Sequence, residues 1–271
     1  MSDQNGSLTR VQAIFTQLLD QWPDGHPWLG ACWDMAAQTR AGAALPTPAH
    51  LGTLVASETP RDRTARMGRV FERTVAPPAA FLRWLLENPQ NMQVRDPATF
   101  GAKSDDARQW RGKLFSGDLA LVRDAQAEGL KQLGSRLAQR GRNKWWAFEG
   151  FSRVDGCFVT DQYVLFVEGT RLDALSPSTW WFPQRSRLWR TVEAAREFAG
   201  GKSFAVMLAV ESEVDGATAL AAGSASLDAS YPHLSPEQRV ELSRHLIGFV
   251  TCPALVSRFG LPPTYSISND R

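Results

Sequence analysis

The spacing of apolar positions changes along this chain, and the changes predict where helices give way to a sheet. Leu8, Val11, Phe15, Leu18 and Leu19 recur at helical spacing and predict a packing helix over residues 8–21. From Trp22 to Pro48 periodicity weakens and Pro and Gly crowd in, which predicts loops and short helices. Residues 61–75 read as a basic helix with five arginines against two acids, followed by a second helix from Pro77 to Leu86 with proline in its first turn. An Arg-rich face can follow a phosphate backbone, but i,i+4 pairs such as Asp62 with Arg66 favour a solvated face. Residues 88–105 read as an irregular connection, and a soft boundary near it divides an N-terminal helical region, 1–106, from a core over 107–271.

Residues 107–139 are mostly helical in pattern, broken at Ser116-Gly117-Asp118, with Asp118 as N-cap and a buried stripe of Leu119, Val122, Ala125, Gly129, Leu133 and Leu137. Trp145 to Glu149 is expected to be a strand, its tryptophans serving as core rather than as base-stacking platforms. Val154–Thr160 and Tyr163–Thr170 are rich in β-branched and aromatic residues around a two-residue turn, Asp161-Gln162, and predict a hairpin. Residues 185–201 predict a helix with apolar line Leu188, Val192, Ala195 and Phe198 and a Gly-Gly end. Residues 203–211, continuously apolar up to Glu211, predict a central strand. Residues 212–234 read as loop with a short Ala-rich helical piece. A helix opening at Ser235-Pro236 is expected to run through Val240, Leu242, Leu246 and Phe249, before a frayed tail, TYSISNDR.

The hairpin carries the candidate chemistry. Pairing Thr160 with Tyr163 and counting outward sets Asp155 opposite Glu168, and cross-strand partners lie about 5 Å apart at Cβ. Two carboxylates that close repel, so each needs a cation or a proton. A hard divalent ion with oxygen ligands meets that need, and the Gly169 carbonyl is a candidate third oxygen. Period two puts apolar residues on both faces of the second strand, so Glu168 sits at the end of a buried strand, where an unused charge is costly.

Composition narrows the alternatives. A chain of 271 residues with 43% hydrophobic and 21% charged positions is an ordinary globule with room for a large core. Its formal charge of +2 requires any nucleic-acid contact to come from a local patch. Cys32, Cys157 and Cys252 stand alone, which excludes a disulfide framework or a zinc site and suits a reducing cytoplasm. The polar start, MSDQNGS, reads as no signal peptide, and no apolar run reaches membrane length. His26, His50, His233 and His245 have no partner pattern. Gly200-Gly201-Lys202-Ser203 resembles the end of a phosphate-binding loop but lies between helix and strand in the wrong order, and no nucleophile elbow starts a Ser-His-Asp triad.

Val154-Asp155, twelve intervening residues, and Glu168-Gly169-Thr170 resemble the motif of the PD-(D/E)XK nuclease superfamily. The resemblance spans roughly residues 113–211. It implies an α/β fold with a restriction-endonuclease-like αβββαβ core, a central mixed sheet flanked by helices, here with an added N-terminal helical region. It implies magnesium or manganese held by Asp155, Glu168 and Gly169, with Glu149, or else Glu128, as an additional acid, and hydrolysis of nucleic acid, DNA by preference. Thr170 departs from the pattern, since the superfamily places a lysine there. The missing charge is expected from Arg187 on the following helix, or else from Lys144, whereas Arg171 points to the opposite face from Glu168. Arg140, Arg142 and Lys144, beside the hairpin, serve either as helix-end cations or as phosphate contacts, and Arg185 and Arg190 join Arg187 as candidate contacts. The alternative that Thr170 leaves open is a nuclease-like protein that binds nucleic acid without cutting it.

Overall fold

The structure, a computed structural model, describes residues 6–40, 43–55, 73–134, 144–169 and 180–262. Its centre is an open four-stranded mixed sheet of order β3-β4-β5-β6, formed by Gly156–Val159, Tyr163–Gly169, Ser203–Val210 and Leu246–Thr251. β3 and β4 are antiparallel, whereas β4–β5 and β5–β6 are parallel. The fold class is therefore mixed α/β. Two further strands, β1 (Arg73–Val75) and β2 (Ser152–Val154), pair antiparallel in a separate ribbon.

Helices cover both faces of the sheet because its inner strands are apolar on both. α1 (Gly6–Gln21), α2 (Trp28–Gln38) and α9 (Cys252–Phe259) contribute Val11, Ile14, Phe15, Trp28, Trp33 and Leu255 to a core shared with Leu165, Val167, Met207 and Ile247. On the other face, α6 (Arg187–Ala199), α7 (Glu213–Ser230) and α8 (Pro236–Arg244) pack Leu188, Trp189, Val192, Ala219 and Leu242 against Val164, Phe166, Val206 and Leu208. A third core joins α3 (Ala79–Glu87), α4 (Asp105–Leu114) and α5 (Leu119–Leu133) through Phe81, Leu85, Leu114, Ala125, Trp145, Phe148 and Trp181. Among the described residues no helix is long and apolar enough to cross a membrane.

Several local expectations hold for the reasons given. Asp118 accepts from the amides of Ala120 and Leu121 and so caps α5. Ser235 and Gln238 form a reciprocal capping box around Pro236 at the start of α8. The hairpin turn is two residues long, with the Thr160 amide donating to the Tyr163 carbonyl at 2.8 Å.

Other expectations are corrected. Trp145–Glu149 is a turn and irregular chain, not a strand: its tryptophans are buried in the helical core, the Trp145 carbonyl accepts from Arg111 Nε at 2.7 Å, and Trp146 Nε1 donates to Gln132 at 2.9 Å. The first hairpin strand is interrupted at Asp155, which lies between β2 and β3. The helix from Ser235 stops at Arg244, and Leu246–Thr251 is buried throughout as β6. Gly248 lets β6 pass α2: its φ of 131° is a glycine conformation, and an added Cβ would strike the Ala36 carbonyl oxygen. The Ala-rich piece after Ser212 is an 18-residue helix, α7. Leu119, expected in the buried stripe of α5, is exposed. Arg73–Val75 is strand rather than the end of a basic helix, and residues 61–72 of that helix, like Leu137 and the tail from Thr264, lie outside the described residues.

Candidate metal-binding acid pair

The carboxyl end of β4 brings the two acids together. The hairpin ladder ends at the pair Gly156 and Val167, and Asp155 stands one residue beyond it, in the bend between β2 and β3, with its carboxyl beside that of Glu168. Both are almost fully buried, at 2% and 3% exposure. Asp155 Oδ2 accepts from the Gly169 amide at 2.7 Å. On Glu168, Oε1 accepts from the Thr191 hydroxyl at 2.7 Å, and Oε2 lies 3.4 Å from Arg187 Nη2. Arg187 and Thr191 are one turn apart on α6 and therefore share the face turned to Glu168.

Electrostatics show what this arrangement lacks. Burial, followed by the negative charge of Glu168, pushes the Asp155 carboxyl up to about 7, and the Gly169 amide and Arg187 offset only part of that rise. Arg187 beside the pair, with Arg190 also acting on Glu168, does not offset the burial of Asp155, which takes up a proton near neutrality. A divalent cation supplies the same compensation without the proton, and the two carboxyls fit it as oxygen donors with lone pairs to spare beyond those already engaged. Among the described residues, no cluster of three or more acidic, histidine or cysteine side chains suited to a metal occurs.

Glu149, the expected additional acid, does not join them. It is fully buried and its Oε1 lies 3.0 Å from Arg185 Nε and 3.1 Å from Arg190 Nε. Glu128 bonds Gln132 and pairs with Lys131 on the surface of α5. Arg185 and Arg190, expected to face nucleic acid, are turned inward. Arg185, fully buried, also donates to Glu193 Oε2 at 2.8 Å and to the Ser230 carbonyl at 3.2 Å, and lies over the Phe81 ring at 3.9 Å. Burial opposes the Arg185 charge, but Glu149 and Glu193 hold its pKa above the usual value. Glu193 would be raised by burial, yet Arg185 and His233 bring it down to about 2. Arg190 also donates to the Gly150 carbonyl. Lys144 is half-buried where the chain turns into Trp145. Thr170, Arg171, Arg140 and Arg142 lie outside the described residues.

Sequence reasoning missed Thr191, Glu193 and His233. Thr191 was findable, since it stands four residues after Arg187 on the predicted helix. His233 was not: its Nε2 meets Glu193 Oε1 at 2.8 Å across a separation of 40 residues. No protein-family model matches the chain, and comparison with curated proteins and with solved structures gives no match either.

Proposed function

We propose that the protein is a metal-dependent hydrolase of phosphodiester bonds in nucleic acid, DNA by preference. The observation that carries this reading is the convergence of Asp155 and Glu168 at the carboxyl end of β4 with Arg187 beside Glu168. Further support comes from the hairpin–helix–parallel strand order of β3, β4, α6 and β5, which agrees with that part of the core the motif resemblance implies. Crevices outside the carboxyl ends of parallel strands are also where open α/β sheets bind ligands.

In this reading Asp155 and Glu168 hold Mg²⁺ or Mn²⁺. When bound, the ion polarises the phosphate and lowers the pKa of a water. Thr191 and the Gly169 amide fix the orientation of the two carboxylates, so little reorganisation is needed on binding. Arg187, 36% exposed at its side chain, places a permanent positive charge at the mouth of the pair, where the transition state gains negative charge. That is the role the motif assigns to the position held by Thr170.

The test is cleavage of duplex and single-stranded DNA with Mg²⁺ or Mn²⁺. Wild-type protein is expected to cut only with metal, Glu168→Gln to be inactive, and Arg187→Ala to lose about 10²–10³-fold in kcat, the usual effect of deleting one transition-state donor. DNA binding without cutting under either metal would instead assign the protein to nucleic-acid binding alone. Cleavage unaffected by Glu168→Gln would end the assignment of this site.

A further inference from the structure

On the face of the sheet opposite α6, a second arginine reaches the same edge. β4 ends at Gly169, paired with Ala209, and β5 runs on to Val210, with Glu211 immediately beyond. α1 lies across this edge, where a Cβ built on Gly169 would be 3.1 Å from Val11 Cγ2 and 3.2 Å from Asp155 Oδ2. The residue before Val11 is Arg10, whose Nη1 donates to Glu211 Oε2 at 2.6 Å. Both side chains remain accessible, at 32% and 26% exposure.

This ion pair is not required to hold α1 in place. Val11, Ile14, Phe15 and Leu18 already anchor the helix in the core, and an accessible ion pair adds little to stability. Its position is more telling. Arg187 comes from the helical layer on one face of the sheet and Arg10 from the layer on the other: Val11, next to Arg10, reaches Gly169 beside Asp155, and Glu211 follows the end of β5, so the Arg10–Glu211 pair stands at the carboxyl end of the neighbouring strand, close to Cys252. A planar guanidinium matches the paired oxygens of a phosphate as well as those of a carboxylate. A chain lying across the carboxyl ends of β4 and β5 therefore meets both cations, and the net charge of +2 requires such contacts to be local.

We infer that Arg10 is a second phosphate contact of this site, on the lip opposite Arg187, and that Glu211 holds its guanidinium until a nucleic-acid phosphate takes the carboxylate's place. The inference rests on the nucleic-acid reading above. A purely structural ion pair and a competed phosphate contact respond differently to substitution. Loss of either partner weakens a structural pair, so both variants then move in the same direction. In the competed arrangement, losing Glu211 frees Arg10 and losing Arg10 removes the contact.

The experiment is fluorescence anisotropy of labelled DNA with the full chain in EDTA, over a range of salt concentrations. Arg10→Gln is expected to weaken binding roughly tenfold and to reduce the slope of log affinity against log salt by about one. Glu211→Gln is expected to tighten binding roughly threefold, a shift of sign that no loss of folding produces, and Arg10→Lys to retain the wild-type slope. Weaker binding by both Gln variants, or no change in either, would overturn the assignment. Wild-type binding without metal-dependent cleavage would sink the hydrolase reading and leave the Arg10 contact standing, whereas no binding by wild type overturns both.

Discussion

Asp155 is the residue on which charge, burial and register meet. Its carboxyl is raised from an ordinary value near 3.8 to about 7, so the folded state binds a proton that the unfolded chain has released. The stability tied to that proton is fully present below about pH 4 and is lost as pH rises through 7. Asp155→Asn keeps an acceptor for the Gly169 amide and has no charge to lose. Urea unfolding is therefore expected to find the variant close to wild type at acid pH and more stable by on the order of 2–4 kcal/mol at pH 8. Added Mg²⁺ is expected to narrow that gap at pH 8 by stabilising wild type alone. A gap that does not change with pH would show that burial of this carboxyl costs the fold nothing. Much of this residue's setting was legible, because a two-residue turn fixes the hairpin register as far as Gly156 and Val167, next to Asp155 and Glu168; the bend at Asp155 was not.

At the level of elements, α6 organises the site from both ends of one short stretch. Arg187 and Thr191 face Glu168, while Arg190 and Glu193 face the buried cluster built on Arg185, Glu149 and His233. Arg185 uses three nitrogens on three acceptors, so neither lysine nor an apolar residue can replace it. Arg185→Met leaves Glu149 and Glu193 buried with less compensation and is expected to cost about 3–5 kcal/mol by chemical denaturation. Arg185→Lys is expected to recover only part of that loss. Equal stability of Arg185→Met and wild type would remove the cluster from the account of how α6 is held. The cluster was not legible in the chain, because its partners are drawn from separated segments and the same arginines suit a phosphate contact equally well. Trp145–Glu149 failed for a related reason: aromatic residues favour strands by propensity, but here their burial is satisfied by α3, α4 and α5. α7 is longer than its sequence pattern suggests because its Ala, Gly and Ser residues form no apolar stripe, although Ser212 caps it. β6 was hidden by a helical spacing that continues by coincidence past Arg244 into Leu246 and Phe249.

Across the whole molecule, the sheet sets a helical layer on each of its faces, and the carboxyl end of β4 brings the acid pair to Arg187 from one layer, while Arg10 of the other layer pairs with Glu211 just past the end of β5. On the proposed function, Asp155 and Glu168 together bind a divalent cation in exchange for a proton. Calorimetric titration with Mn²⁺ at pH 6.5, repeated in buffers of different ionisation heat, measures both events in one experiment. Wild type is expected to bind one Mn²⁺ and release a substantial fraction of one proton, since Asp155 titrates near 7. Asp155→Asn and Glu168→Gln are each expected to lose that binding. Mn²⁺ binding of equal strength in wild type and both variants, or binding with no proton released, would rule out this exchange at Asp155 and Glu168.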